Sequence, residues 1–321
     1  MGNLSSPRVL GEVDDVLGSV TGAVGLTTHS ASAPIVASAP PAAAFVGDAG
    51  NNTLVGTAAD ESFYGQAGND SITAAGGHDY VFGGAGADIL NGGDGNDHIY
   101  GFDAVAGVDG ADMIWGGDGL DYIQGNAGND TIDGGAGADR IVGGADNDQI
   151  EGGADNDSIN GNLGNDTLRG GSGNDSVRGG QGNDAVFGDD GNDRIYGDLG
   201  IDTVSGGAGA DIFYYTTGAA PLLDLFNLGA TETVTDFTDG TDKLSLDYVP
   251  VNVQHGLVQS TLAGAIGVVT GLLVGHPNDA AAVQVGADTV LFYNGTGGLL
   301  SLNAVTLQNV TAANITVADF V

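Results

Sequence analysis

The sequence predicts an all-β fold built on a parallel β-roll over residues 47–214. Three observations predict it: a nine-residue frame, one apolar slot in that frame, and one acidic slot. Residues 83–91 read GGAGADILN and residues 92–100 read GGDGNDHIY. The frame runs unbroken from Gly47 to Tyr100 and from Gly116 to Tyr214, with one 15-residue unit, 101–115, between them, which makes 18 units. A fixed short period is the signature of a solenoid.

The apolar slot is position eight, occupied by Leu54, Phe63, Ile72, Val81, Leu90, Ile99, Ile114, Ile123, Ile132, Ile141, Ile150, Ile159, Leu168, Val177, Val186, Ile195, Val204 and Phe213. Positions seven and nine are mixed. One inward side chain between two outward ones predicts a three-residue strand at positions seven to nine. Positions one to five read as a turn, rich in Gly where the backbone takes positive φ or passes close to a ligand. Two units make one coil, so units n and n+2 stack.

The acidic slot is position six, Asp in 16 of the 18 units. Stacking sorts these residues into two columns. One holds Asp70, Asp88, Asp112, Asp130, Asp148, Asp166, Asp184 and Asp202; the other holds Asp79, Asp97, Asp121, Asp139, Asp157, Asp175, Asp193 and Asp211. The exceptions, Asn52 and Glu61, fall at the start, where repeat arrays carry atypical caps. Carboxylates about 5 Å apart at an effective dielectric near 20 repel by roughly 3 kcal/mol. The columns contain 14 adjacent pairs, and the summed repulsion exceeds the roughly 5–15 kcal/mol that stabilises a whole domain. A closed roll therefore requires cations between its turns. Oxygen ligands, flexible geometry and carbonyls in Gly-rich turns select Ca²⁺ over Mg²⁺, and the 16 aspartates are the expected ligands.

Departures from the frame are few. Asp146 and Asp155 replace the Gly of position four, and Asp tolerates the left-handed region better than most residues. The long unit, GFDAVAGVDGADMIW, is expected to loop out while Asp112 and Ile114 keep the frame.

Composition agrees. The chain has 6 Lys or Arg against 42 Asp or Glu, a formal charge of −36, and 41% hydrophobic residues. So acidic a chain is unsuited to nucleic acid or anionic lipid, yet it is apolar enough to build a core. It has no Cys, which excludes disulfides and thiolate metal sites. Residues 1–46 read as an N-terminal segment: Val9, Leu10, Val13, Val16, Leu17, Val20 and Val24 follow helical spacing, and Ser30 to Phe45 reads as an Ala/Ser/Pro-rich linker. No Sec-type signal opens the chain. Gly256–Gly275 is uncharged and long enough to span a membrane, but its five Gly, with Gln259, Ser260, Thr261 and Thr270, favour buried strands.

The nonapeptides resemble the RTX, or haemolysin-type, calcium-binding repeat family, over just more than half the chain. Residues 232–246, ETVTDFTDGTDKLSL, and 282–297, AVQVGADTVLFYNGTG, resemble the C-terminal domain of serralysin-type proteases and alginate-epimerase modules, which implies a β-rich C-terminal domain over 215–321 after the roll. Residues 302–321, ending on Asp319, Phe320 and Val321, resemble the export signal of type I secretion substrates. The resemblance implies several bound Ca²⁺ ions, export from a Gram-negative cytoplasm through a type I secretion apparatus, and folding outside the cell.

No catalytic signature accompanies the repeats. The histidines, His29, His78, His98, His255 and His276, form no HExxH; no Ser sits in GxSxG; Lys243, the sole Lys, is in no P-loop. His78 and His98 read as exposed turn residues. The expectation is a non-enzymatic secreted protein with a structural, adhesive or matrix role. The alternatives are the carrier module of a secreted enzyme or toxin, or a small membrane-active protein. Tyr64, Phe82, Tyr100, Tyr196 and Tyr214, at position nine of one face, mark a surface for self-association or a cell-surface glycan.

Overall fold

The computed structural model describes residues 35–36, 44–102, 108–215, 232–238, 241–246, 252–255, 279–285, 287–294 and 302–321. The helical spacing at Val9–Val24, most of the 215–231 segment, and Gly256–Gly275 lie outside them. The described residues form two sheets, one of 15 strands and one of 11, and successive units alternate between them. Unit n pairs with unit n+2 in parallel, as Ile132↔Ile150 in one sheet and Ile141↔Ile159 in the other. The position-eight side chains of both sheets meet in one core, every one of them at most 3% exposed. Burying each Val, Leu, Ile or Phe stabilises the fold by about 1.5–3 kcal/mol.

The strands are longer than the three residues the alternation predicts. Most span six, from position seven of one unit to position three of the next, as in Thr131–Ala136 and Arg140–Ala145. Their burial alternates through the position-one Gly, which faces inward like position eight. Pairing resumes beyond it, with Gly135↔Gly153 and Ala136↔Ala154. The turn is therefore confined to positions four to six. Its positive φ at position four is kept by Asp146 (75°) and Asp155 (77°), so the turn survives both substitutions.

The long unit keeps register. Asp112 and Ile114 are 1% and 0% exposed, and Met113–Asp118 pairs in frame with Ile89–Asp94. Residues 103–107 are outside the described set.

The roll runs beyond both ends of the legible frame. Ala44–Val46 pairs with Ser62–Tyr64, and Phe45 stacks on Phe63 with ring centroids 4.8 Å apart. Ile35–Val36 pairs with Leu54 and Val55. The segment whose composition reads as a linker thus contributes strands to the first coil, because Phe45 supplies the apolar residue the core needs there. At the other end Glu232–Val234 continues one sheet and Lys243–Ser245 the other. The 15-stranded sheet then takes up Leu302–Leu307 and an antiparallel pair, Asp279–Val285 with Asp288–Asn294. The tail closes the end of the 11-stranded sheet: Phe320 is 6% exposed and Val321 N–H donates to Leu244 O at 3.1 Å.

Candidate metal centre

All 16 frame aspartates are at most 3% exposed, and the structure aligns them in the two columns the stacking predicts. Within each column the backbone N–H of one Asp donates to Oδ1 of the next. The first column runs from Asp70 to Asp202 and the second from Asp79 to Asp211, with bonds of 2.7–2.9 Å. Each carboxylate is thereby fixed between two coils with one oxygen satisfied.

The second oxygen is different. At Asp70, Asp79, Asp97, Asp112, Asp121, Asp130, Asp139, Asp148, Asp157, Asp166, Asp175, Asp184, Asp193, Asp202 and Asp211, Oδ2 is buried and accepts no hydrogen bond. An unsatisfied buried polar atom costs about 1–3 kcal/mol, more when charged, so a column of them calls for a ligand. The position-one Gly explains where it would sit. A Cβ on Gly134 would lie 2.6 Å from Asp139 Oδ2 and 2.5 Å from the Gly152 carbonyl oxygen. The same encounter recurs at Gly92, Gly116, Gly125, Gly152, Gly161 and Gly170, always with the unit's own aspartate and a carbonyl of the next coil. Glycine keeps open a space lined by a carboxylate and a main-chain oxygen. Among the described residues no three His, Cys, Asp or Glu side chains converge on one point. An ion here would draw on carboxylates and carbonyls together, the hard oxygen set that suits Ca²⁺.

Electrostatics point the same way, with one correction. Burial is the largest influence on these carboxyls, ahead of repulsion between neighbours. It pushes Asp112 and Asp148 up to about 8, Asp70, Asp121 and Asp157 to about 7, and Asp130, Asp139 and Asp202 to about 6. The backbone N–H bond to each pulls the other way, and the adjacent aspartates add a smaller upward push at Asp148 from Asp130 and Asp166. Neighbour repulsion is eased because every adjacent pair shares an N–H bond; desolvation is not.

Three of the four column ends are closed by the chain itself: both starts and the far end of the second column. Asn52 Oδ1 accepts from Asp48 N–H at 2.6 Å; Glu61 accepts from Thr57 N–H at 2.8 Å and from its hydroxyl at 2.7 Å. At the far end Asp242, 3% exposed, accepts from Asp211 N–H at 3.2 Å and from Thr238 N–H at 2.7 Å. Asp242 extends the second column and was not in the 18-unit frame. Its signal is present in the sequence: Gly240, Asp242 and Leu244 keep the spacing of positions four, six and eight.

A second ladder was also missed. Position-five asparagines accept from the position-five N–H of the following coil: Asn147 N–H to Asn129, Asn165 N–H to Asn147, Asn183 N–H to Asn165, at 2.6–2.9 Å. His78 takes the same place, its Nδ1 accepting from Asn96 N–H at 2.8 Å. It is an exposed turn residue as expected. His98 is not: it lies in strand His98–Tyr100, stacked on Tyr80 at 4.8 Å.

The position-nine rings form a ladder. Tyr64, Phe82 and Tyr100 stack with centroids 5.1 Å apart and planes within 5° of parallel, and Tyr196 stacks on Tyr214 at 4.4 Å. Ring faces meet ring faces along the roll, which turns edges outward.

Residues 46–81, 73–101, 106–141, 133–168, 160–195 and 187–219 match the RTX calcium-binding nonapeptide repeat (4 copies). These matches span more than half of the chain, which belongs to this family of calcium-binding repeat proteins. No curated protein matches it. Among solved structures it is similar to the AlgE6R3 subunit of the Azotobacter vinelandii mannuronan C5-epimerase, at 20% identity, over 55% of this chain and 78% of that one. The TM-score of 0.32 is too low to build on.

Proposed function

We propose that this chain is a secreted calcium-binding protein whose roll closes when Ca²⁺ enters between stacked turns, and that the closed roll serves as a structural, adhesive or matrix component outside the cell. A binding and structural role is proposed, with no catalytic step. The observation that carries the reading is the column of buried Oδ2 atoms without hydrogen bonds, which face a space that glycine keeps open in every unit but that of Asp79, which begins on Ala74. The 16 frame aspartates, Asp70 to Asp211, would hold the ions together with position-one carbonyls. When bound, the ion supplies positive charge that offsets carboxylate desolvation. The chain's own part is to fix each Oδ1 through the N–H ladder, to keep the cradle free of Cβ atoms in every unit but the one that begins on Ala74, and to close the starts of the columns with Asn52 and Glu61 and the far end of the second with Asp242.

This supports a folding switch. Extracellular calcium modules bind at about 10⁻⁴–10⁻³ M, so the roll would stay open in a calcium-poor cytoplasm and fold on exit, the ions contributing folding free energy by linkage. Delivery through a type I secretion apparatus is proposed from the resemblance of residues 302–321 to such export signals. The serralysin-like reading of 215–321 is proposed on the same footing. Equilibrium dialysis of the full chain against Ca²⁺ at pH 7.5 tests the site. Several ions per chain, fewer in an Asp139→Asn/Asp148→Asn variant, are expected. One ion or none, or an unchanged count in the variant, would refute the assignment.

A further inference from the structure

The two outer faces of the roll carry opposite charge. Among the described strands of the 11-stranded sheet the charged residues are Arg140, Arg178, Arg194 and Lys243, with a single acid, Asp198. Asp198 and Arg178 offset each other at 3.0 Å, and Lys243 lies 3.8 Å from Asp319, which leaves Arg140 and Arg194 to carry the positive charge of this face. The chain holds only 6 basic residues in all, so most of its positive charge sits on this sheet. Between Thr53 and Ser205 the 15-stranded sheet carries Asp94, Asp118, Asp133, Glu151, Asp189 and Asp190 against one base, Arg169, which pairs with Asp189 at 2.9 Å and leaves five acids. Both faces are built from the same coils, so their rows share one spacing of about 4.8 Å.

We propose that the outer face of the 11-stranded sheet docks on the acidic face of the 15-stranded sheet of a second copy of this chain. Charge complementarity selects that partner over a like face, which would set arginine rows against each other. The area is sufficient. Seven six-residue strands, about 20 Å long, and four three-residue strands, about 10 Å long, at about 4.8 Å spacing give a face of roughly 900 Å², against about 800 Å² per partner in a standard interface. Aromatic edges add apolar contact, Tyr80 being 46% exposed and stacked on His98. Because the two faces differ, the contact is heterologous: each copy offers both halves, and the assembly grows instead of closing as a dimer. The inference rests on the calcium reading above. At −36 the ion-free chains repel one another; neutralising the 16 frame aspartates cuts the net charge to −20 (−36 + 16), and the face charges then select which faces meet.

The test is light scattering after size exclusion on the full chain, in millimolar Ca²⁺ at low salt and at about 0.5 M salt, where the Debye length falls to a few ångströms. Far-UV circular dichroism is recorded on each sample. Expected are concentration-dependent multiples of the monomer mass that dissolve in salt. Arg140→Glu/Arg194→Glu should fold with calcium and stay monomeric, and Arg140→Lys/Arg194→Lys should still assemble. A calcium-folded wild type that is monomeric at about 100 μM in low salt overturns the docking proposal alone. So does assembly by the Glu variant as strong as wild type, or a monomer that binds the anionic polysaccharide polygalacturonate through the same arginines. A dichroism spectrum indifferent to calcium would instead sink the calcium reading.

Discussion

Replacing Asp148 by Asn should have opposite effects with and without calcium. Asp148 is 1% exposed in the middle of its column. Its Oδ1 accepts from Asp130 N–H at 2.9 Å, and its own N–H donates to Asp166 Oδ1 at 2.8 Å. An amide of the same shape preserves both bonds and removes the charge. With calcium, the gaps on either side lose a carboxylate. Contacts to charged groups contribute about 1.5–3 kcal/mol each, so the loss is about 3–6 kcal/mol. That is a large part of the roughly 5–15 kcal/mol that holds a domain together. Without calcium, burial has pushed this carboxyl up to about 8, so its charged form opposes folding at neutral pH and its removal helps. The assay is urea unfolding in millimolar Ca²⁺ beside a pH titration of folding in EGTA, both by circular dichroism. The urea midpoint should fall sharply, while the pH at which the ion-free chain folds should move up. Equal destabilisation in both conditions would refute the reasoning, because it would make Asp148 a packing residue and not a ligand.

The remaining predictions use the same observables. In EGTA the chain should be most folded near pH 4 and unfold as pH rises through about 6–8, the range to which burial raises Asp139, Asp157 and Asp148. The sign follows from linkage: a carboxyl raised on folding stabilises the fold when protonated, and that stabilisation is lost above its folded value. A signal flat from pH 4 to 9 would contradict it. Gly134→Ala should lower the unfolding free energy measured in urea by about 1–3 kcal/mol through overpacking, since its Cβ meets Gly152 O and Asp139 Oδ2. Gly76→Ala, whose nearest contact is 3.5 Å away, should be close to neutral. Asp242→Asn should change calcium uptake less than Asp148→Asn, because both of its oxygens already accept from Asp211 and Thr238; equal losses in dialysis would contradict this. Phe320→Ala should speed hydrogen exchange at Lys243–Ser245 and leave the coils near Ile132 protected, since solenoid units contact only their neighbours.

Much of the site could be read from spacing alone. Position eight and position six are visible because one is uniformly apolar and the other almost uniformly Asp, and stacking then follows from the coil of two units. The strand segment at positions one to three was hidden. Its inward residue is Gly, which carries no hydrophobic signal, so alternation ends at position nine although the ladder does not. The first coil was hidden for a related reason: Ala, Ser and Pro around Phe45 look like a linker until Phe63 is placed beneath it. Asp242 escaped the frame because Phe237 packs on Phe213 and the glycine that opens most units is missing there. The dominance of burial over repulsion required knowing that each Asp N–H reaches its neighbour's Oδ1. The charge difference between the faces emerges only when units are sorted by sheet.

Far-UV circular dichroism of the full chain at pH 7.5, stripped with EGTA and then titrated with Ca²⁺, tests the central claim most directly. A cooperative gain of β signal in the range of about 10⁻⁴–10⁻³ M Ca²⁺, reversed by EGTA and not reproduced by Mg²⁺, is the predicted result. A spectrum already fully folded in EGTA at that pH, unchanged by calcium, would contradict it.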